Sequence, residues 1–360
     1  MTVSMMRGNV DSRSLSYRED IVSAAMNCIA AGESCSLVGI SGIGKSALLR
    51  HVSRTEVKGH FLGESSSRFL FVVVDCNLIA EVSEWGAFEF FLNQIARALD
   101  SIEDPALGDL VQQLNGLYSE VEAKQDRFLA QRHLSRSVGL ILKNQFDKIV
   151  FFLDEFDGVL RQIDSQFLNN LRGLRDEYRP QVVYVTLTRH LFPLIRQDVK
   201  KKAESFFEIF RNTFALAPYN REQAHHVLLE LMADSKFKLE ESGIRYVVFA
   251  TGGHSGLIKG AFEYLRKRPL VESKDMLIEM AEDSVIRDES RKIWGSLTSH
   301  EQRVLSRVAR GELLQDSDND IVSHLKMKGV LTERSGSGLT LFSPLFAFFI
   351  KQQLPQHASS

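Results

Sequence analysis

The sequence predicts an α/β fold: a parallel, doubly wound sheet of about five strands, then a helical segment, then a small C-terminal module of mixed structure. Three observations predict it. Short apolar runs alternate with helical spacing between residues 17 and 216, the order a parallel sheet covered by helices on both faces requires. The first apolar run ends in glycine and passes into a helical pattern. From Arg221 to about Trp294 only helical patterns occur.

Residues 1–15 are polar and aperiodic and are expected to be a loose arm. Helical spacing runs through Tyr17, Ile21, Ala25 and Ile29 and stops at Ala31-Gly32. The apolar run 35–39 suits a buried strand, and a helix follows over 45–52. Further strands are expected at 69–74, 149–153, 182–187 and 213–216. Helices are expected at 85–99, 126–146 and 165–178, with a turn at Asp104-Pro105. The domain reading is 16–219 for the sheet domain, 220–295 for the helical segment, 296–353 for the C-terminal module and 354–360 for a tail.

Composition narrows the function classes. The 360 residues carry 44 Lys+Arg against 46 Asp+Glu, a net charge of -2. That excludes a strongly basic nucleic-acid coat over the whole chain. Cys28, Cys35 and Cys76 are an odd number with no C-x-x-C spacing, which argues against a disulfide scaffold or a four-cysteine zinc site. The N-terminus lacks the apolar core of a signal peptide, and no run of eighteen apolar residues occurs. The expectation is a soluble, cytoplasmic protein without membrane contact.

The first strand leads into Gly39-Ile40-Ser41-Gly42-Ile43-Gly44-Lys45-Ser46, which is G-x-x-x-x-G-K-[ST] with strand before and helix after. Glycines let the backbone curl so that successive N–H groups face phosphate oxygens. The helix adds its positive N-terminal end. Lys45 reaches the β- and γ-phosphates, and the Ser46 hydroxyl ligates Mg²⁺. A second signal is the strand 149–153 running into Asp154-Glu155-Phe156-Asp157. Carboxylates delivered by an apolar strand need a reason, and ligands bind at the carboxyl ends of such strands. Asp154 is expected to hold Mg²⁺, directly or through water, and Glu155 to act as general base on the attacking water. Asp157 is expected to cap a helix or pair with a cation.

These motifs make the chain resemble the P-loop NTPases that carry a catalytic glutamate. More narrowly it resembles the STAND ATPases (signal-transduction ATPases with numerous domains) and their AAA+ relatives, over roughly residues 15–350. The resemblance implies Mg²⁺-dependent ATP hydrolysis with ATP or ADP bound by Gly39, Ile40, Ser41, Gly42, Ile43, Gly44, Lys45, Ser46 and Ala47. It places Arg18, from Tyr17-Arg18-Glu19, near the nucleotide. It makes Thr188 and Arg189, at the end of the fourth strand, a sensor of the γ-phosphate. It makes Arg211 an arginine finger acting on a neighbour's site, with Arg196 as competitor. Thr251-Gly252-Gly253-His254-Ser255-Gly256-Leu257 resembles the Gly-Gly-His-Pro motif that brings a helical lid to the nucleotide, so Ser255 is either a nucleotide contact or the cap of the next helix. Lys200-Lys201-Lys202 reads as a solvated face, and His225-His226, being adjacent, do not face one metal.

Thr298 is expected to cap a helix to about Arg310, followed by a helix over 318–327, a hairpin across Ser335-Gly336-Ser337-Gly338 and an apolar helix over 345–350. That is the order of a winged helix. The second helix carries both signs of charge, which does not make a basic reading head. Intramolecular or protein contact is therefore preferred to DNA. The leading expectation is a STAND-type ATP switch that works with a separate effector or sensor protein and forms a homo-oligomer in its ATP state. An AAA+ DNA-associated ATPase, origin-recognition-like or transposition-regulator-like, is the alternative. A nucleotide-locked scaffold without turnover is the third.

Overall fold

The computed structural model describes residues 15–195, 204–268, 275–334 and 338–353. Arg196, Lys200, Lys201, Lys202, the hairpin tip 335–337, the first fourteen residues and the tail 354–360 lie outside the described residues. The elements run α1 (Glu19–Ala31), β1 (Cys35–Val38), α2 (Lys45–Val52), α3 (Thr55–Leu62), β2 (Phe69–Asp75), α4 (Glu84–Asp100), α5 (Gly108–Lys124), α6 (Arg127–Lys143), β3 (Lys148–Asp154), α7 (Asp157–Gln162), α8 (Ser165–Glu177), β4 (Val182–Thr188), α9 (Phe192–Ile195), α10 (Glu204–Phe207) and β5 (Asn212–Ala215). They continue with α11 (Arg221–Ala233), α12 (Glu241–Thr251), α13 (Ser255–Lys267), α14 (Met276–Glu282), α15 (Ser284–Gly295), α16 (Ser299–Arg310), α17 (Asn319–Met327), β6 (Leu331–Arg334), β7 (Gly338–Leu341) and α18 (Pro344–Gln353).

The strands form one five-stranded sheet in the order β2-β3-β4-β1-β5. Parallel pairing aligns Phe69 with Lys148 through Asp75 with Asp154, and Ile149 with Val182 through Leu153 with Thr186. All seven residues of β4 are buried, as are Ile149 to Asp154 of β3. A parallel strand covered on both faces needs such a continuous apolar run. β4 lies between β3 and β1, so the acidic strand and the glycine-loop strand flank it.

Two compact units divide the described residues. One takes those of Met1–Ser36, Ser46–Thr186 and Ile195–Asn212. Its core is aromatic: Phe91 lies 5.5 Å from Phe151, Phe88 lies 4.8 Å from Phe167, and Phe206 packs on Phe156 and Tyr184. Each such ring contributes about 1.5–3 kcal/mol when fully buried. The Tyr184 hydroxyl is satisfied inside by donating to the Leu171 carbonyl at 2.9 Å. α3, α5 and the short α10 were not expected from the sequence. The chain after Asp104-Pro105 continues as α5, burying Leu110, Leu114, Leu117 and Val121 at helical spacing.

The other unit takes Leu37–Lys45, Leu187–Leu194 and the described residues of Thr213–Ser360. The glycine loop thus belongs to the same unit as the C-terminal helices. α16 opens with a full capping box: Thr298 N–H donates to Glu301 Oε2 at 2.8 Å, and Glu301 N–H to Thr298 Oγ1 at 3.2 Å. β6 and β7 pair antiparallel, Leu331 with Leu341 and Thr332 with Thr340. Ser343 ties α18 to α12 by donating to the Ala250 carbonyl at 2.8 Å. Among the described residues no helix is long and apolar enough to cross a membrane.

Candidate functional site

The loop after β1 is curled where the sequence supplies glycine. Gly42 has φ +72° and Gly44 φ +103°, both left-handed conformations that an L side chain rarely adopts. At Gly39 a Cβ would stand 2.8 Å from the Leu216 carbonyl oxygen, so bare backbone is needed there for another reason, close packing. Ile40 and Ile43 are fully buried and anchor the loop on the core. Lys45, 4% exposed, donates from Nζ to the Gly39 carbonyl at 3.0 Å and to the Ile40 carbonyl at 3.3 Å. A buried ammonium held by loop carbonyls places a full positive charge under the curl.

In the other unit Ser46, in the first turn of α2, donates from Oγ to Asp154 Oδ2 at 2.8 Å. Asp154 Oδ1 accepts the Glu155 N–H at 3.0 Å. Glu155 sits at φ +50°, one of three non-glycine residues with positive φ among the described residues. That conformation costs a glutamate on the order of 1 kcal/mol or more. Asp157 is the first residue of α7 and is buried. Phe156 takes the cap position, so the expected capping role of Asp157 is corrected. The field here is negative: burial drives the Cys76 thiol pKa well up, and Asp154, Asp75, Glu155 and Asp157 drive it further.

A hydroxyl, one or two carboxylates and room for phosphate and water are the donor set Mg²⁺ takes. The Ser46 and Asp154 oxygens fit it, because two ligands at adjacent corners of its octahedron stand about 2.9 Å apart. Among the described residues no cluster of three or more His, Cys, Asp or Glu side chains forms a metal site by protein ligands alone.

Thr188 is fully buried, and its hydroxyl donates to the His190 carbonyl at 2.9 Å. Its proton therefore shapes the turn that presents Arg189, which is half-buried. Arg18 is not on an ordinary exposed helix start. It is 3% exposed with φ +47°, and Tyr17 beside it packs edge-on against His51 of α2 at 5.0 Å. Ser255 does not cap α13: His254 does, its Nδ1 accepting the Leu257 N–H at 3.3 Å, while Ser255 is the buried first residue of the helix. His225 and His226 face separate carboxylates, Glu241 and Glu230.

Arg211 is exposed and lines a cavity of about 640 Å³ with Arg172, Arg175, Arg179, Ser34 and Glu208. Ser34 precedes β1 and Arg179 precedes β4, so this cavity lies at the amino-terminal edge of the sheet. Asp154 is at the carboxyl edge. Lys148 to Asp154 alone spans seven residues, roughly 20 Å of strand.

No protein-family model matches the sequence, and no curated protein matches it. Solved structures do. A Walker-type ATPase of Pyrococcus abyssi superposes with a TM-score of 0.58 at 15% identity, covering 94% of this chain and 99% of that one. The ORC2 protein of Aeropyrum pernix, in its ADPNP–ADP complexes, gives 0.53 at 13% identity over 93% and 92% of the two chains. Its ADP form gives 0.51 at 13% identity over 93% of each. The fold is that of a P-loop NTPase. Within this P-loop NTPase fold the glycine loop, Ser46 and Asp154 stand at the carboxyl ends of β1 and β3, where such sheets bind ligands.

Proposed function

We propose that this chain binds ATP with Mg²⁺ and hydrolyses it. The observation that carries the reading is the 2.8 Å bond between Ser46 Oγ and Asp154 Oδ2, directly after a loop curled at Gly42 and Gly44. The loop N–H groups and Lys45 hold the phosphates, Ser46 and Asp154 hold the cation, and Glu155 takes the proton of the attacking water. The cation supplies charge neutralisation at the phosphates. Glu155 in a costly left-handed conformation supports a role other than stability. Arg189 stands beyond the sensor strand as a guanidinium for the γ-phosphate, and Arg18 as a buried cation near the nucleotide. The test is a titration of a fluorescent ATP analogue with and without Mg²⁺, together with phosphate release. Equal behaviour of wild type and Lys45→Ala would remove the reading.

Two uses of that chemistry remain. A structural neighbour named ORC2 supports an origin-recognition-like, AAA+ DNA-associated ATPase over the STAND switch. The surface of the C-terminal module supports the switch: α17 exposes Asp320 and Lys326, and Lys326 pairs with Glu333. On α16, Arg307 is tied to Asp318 at 3.0 Å and Arg310 to Glu312 at 3.1 Å, which occupies two of that helix's three arginines with carboxylates. A duplex-DNA anisotropy titration at several salt concentrations separates the two. A DNA-associated ATPase shows affinity falling linearly in log–log form with salt, and a protein switch shows no saturable binding.

A further inference from the structure

The phosphate loop is held through its middle by side chains from the helical segment. His254 Nε2 lies 2.8 Å from the Ser41 carbonyl oxygen. Its Nδ1 accepts from the Leu257 N–H, so the proton of the neutral ring sits on Nε2 and is donated to Ser41. The ring is fully buried. The N–H of the same residue, Ser41, donates to Ser296 Oγ at 3.3 Å. That hydroxyl places its own proton on the Ile293 carbonyl at 2.7 Å, so it faces Ser41 as an acceptor. One residue of the loop thus has its C=O bound from the cap of α13 and its N–H from the end of α15.

The neighbouring residue is gripped as well. The Gly256 N–H donates to the Gly42 carbonyl at 3.1 Å. A Cβ on Gly42 would stand 2.0 Å from Glu289 Oε1, and one on Gly256 would stand 1.9 Å from it, so the carboxylate fills the space both glycines leave. A glycine loop left to itself loses its curl to conformational entropy. Bonds from buried, fully engaged side chains pay that cost before the ligand arrives.

We propose that His254 and Ser296 are positioning residues of the phosphate loop: by bonding both backbone groups of Ser41 they hold the loop in its phosphate-receiving curl. This rests on the nucleotide reading above, and the bonds themselves are testable without nucleotide.

Two substitutions separate the two jobs of His254. His254→Asn keeps an acceptor where Nδ1 stands and caps α13, but it is too short to reach Ser41. His254→Gln presents an N–H₂ where Nε2 stands but gives up the cap. Hydrogen exchange of the peptide 39–45 in nucleotide-free protein should be about tenfold faster in His254→Asn and Ser296→Ala, and near wild type in His254→Gln. Fluorescent ADP should bind about tenfold more weakly in the first two and normally in the third. The reverse order, with Asn normal and Gln impaired, would leave His254 as a helix cap and overturn the role. Ser296→Ala carries the test if thermal unfolding shows His254→Asn to be misfolded. Faster exchange with unchanged ADP affinity would overturn the positioning role and leave the nucleotide reading standing. A wild type that binds no nucleotide would end both.

Discussion

Ser46 donates to Asp154 across 2.8 Å, joining the first turn of α2 to the last residue of β3. The same carboxylate receives the Glu155 N–H on its other oxygen at 3.0 Å. Asp154 therefore fixes three things at once: the Ser46 hydroxyl, its own orientation, and the backbone from which Glu155 departs.

On the proposed reading, Ser46→Ala and Asp154→Asn should weaken nucleotide binding about tenfold or more in Mg²⁺ and little in chelator, because one removes a cation ligand, the other removes a ligand's charge, and both leave the loop intact. Isothermal titration with ADP in both buffers checks this. Equal losses in both would mean that the pair stabilises the loop and holds no metal.

Glu155→Gln should keep ATP affinity and slow phosphate release by about 10²-fold, the weight of a general base. Glu155→Gly should be as slow but more stable, by about 1 kcal/mol, because φ +50° costs glycine nothing. A glycine variant no more stable than the glutamine variant would show that the backbone there carries no strain.

Four of the five strands were legible because they are largely apolar runs bounded by glycine, proline or acids, and the loop because its glycines stand where the chain curls. α3 was not legible: Val57 is its only buried residue, so no apolar stripe marks it. α5 was, since Leu110, Leu114, Leu117 and Val121 stand at helical spacing, but Asp104-Pro105 drew the reading to a turn. Of the two roles open to Ser255, the capping one falls to its neighbour: serine is the usual cap, whereas here His254 uses one nitrogen as cap and the other for Ser41. Nothing in the spacing of His254, Ser296 and Ser41 brings them together; 213 residues separate the first from the third, and only the fold does so.

Arg211 stands at the amino-terminal edge of the sheet, roughly 20 Å of strand from the Asp154 end. Within its own unit it stands at the opposite edge from Ser46 and Asp154. If it is a finger it acts on a second copy, and specific activity should rise with protein concentration. Arg211→Ala should lower turnover at least tenfold without weakening ATP binding by the monomer. Mixing it with Glu155→Gln should restore part of the rate, since some mixed contacts pair an intact base with an intact arginine. Concentration-independent turnover by a species that light scattering shows to be monomeric would reduce Arg211 to a member of the arginine-lined cavity.

A buried charge pair sits inside the C-terminal module, with His190 beside it. Glu301 and Lys328 are fully buried with Nζ and Oε1 2.6 Å apart, and His190, two residues beyond Thr188, places Nε2 3.5 Å from Glu301 Oε2. Burial alone would raise the Glu301 pKa. His190, the Lys328 ammonium and the Thr298 N–H outweigh it and hold the carboxyl at about 2, below its ordinary 4.5. A carboxyl whose folded pKa is depressed stabilises the fold above the ordinary value, and that stability is lost as pH falls from about 4.5 towards about 2. Lys328→Met removes the cation and leaves a buried carboxylate, at a cost of about 3–5 kcal/mol at pH 7. If, with the Lys328 ammonium gone, burial outweighs the remaining His190 and Thr298 bonds and lifts the folded carboxyl above its ordinary 4.5, the variant should recover part of that loss between pH 7 and pH 5, where wild type changes little. Glu301→Gln with Lys328→Met should recover most of it at pH 7, because no charge is left buried. Urea unfolding followed by circular dichroism at the two pH values checks all three. A single variant equally destabilised at both pH values, with no recovery in the double variant, would show that Lys328 acts through packing and that Glu301 is stabilised by His190 and Thr298 alone.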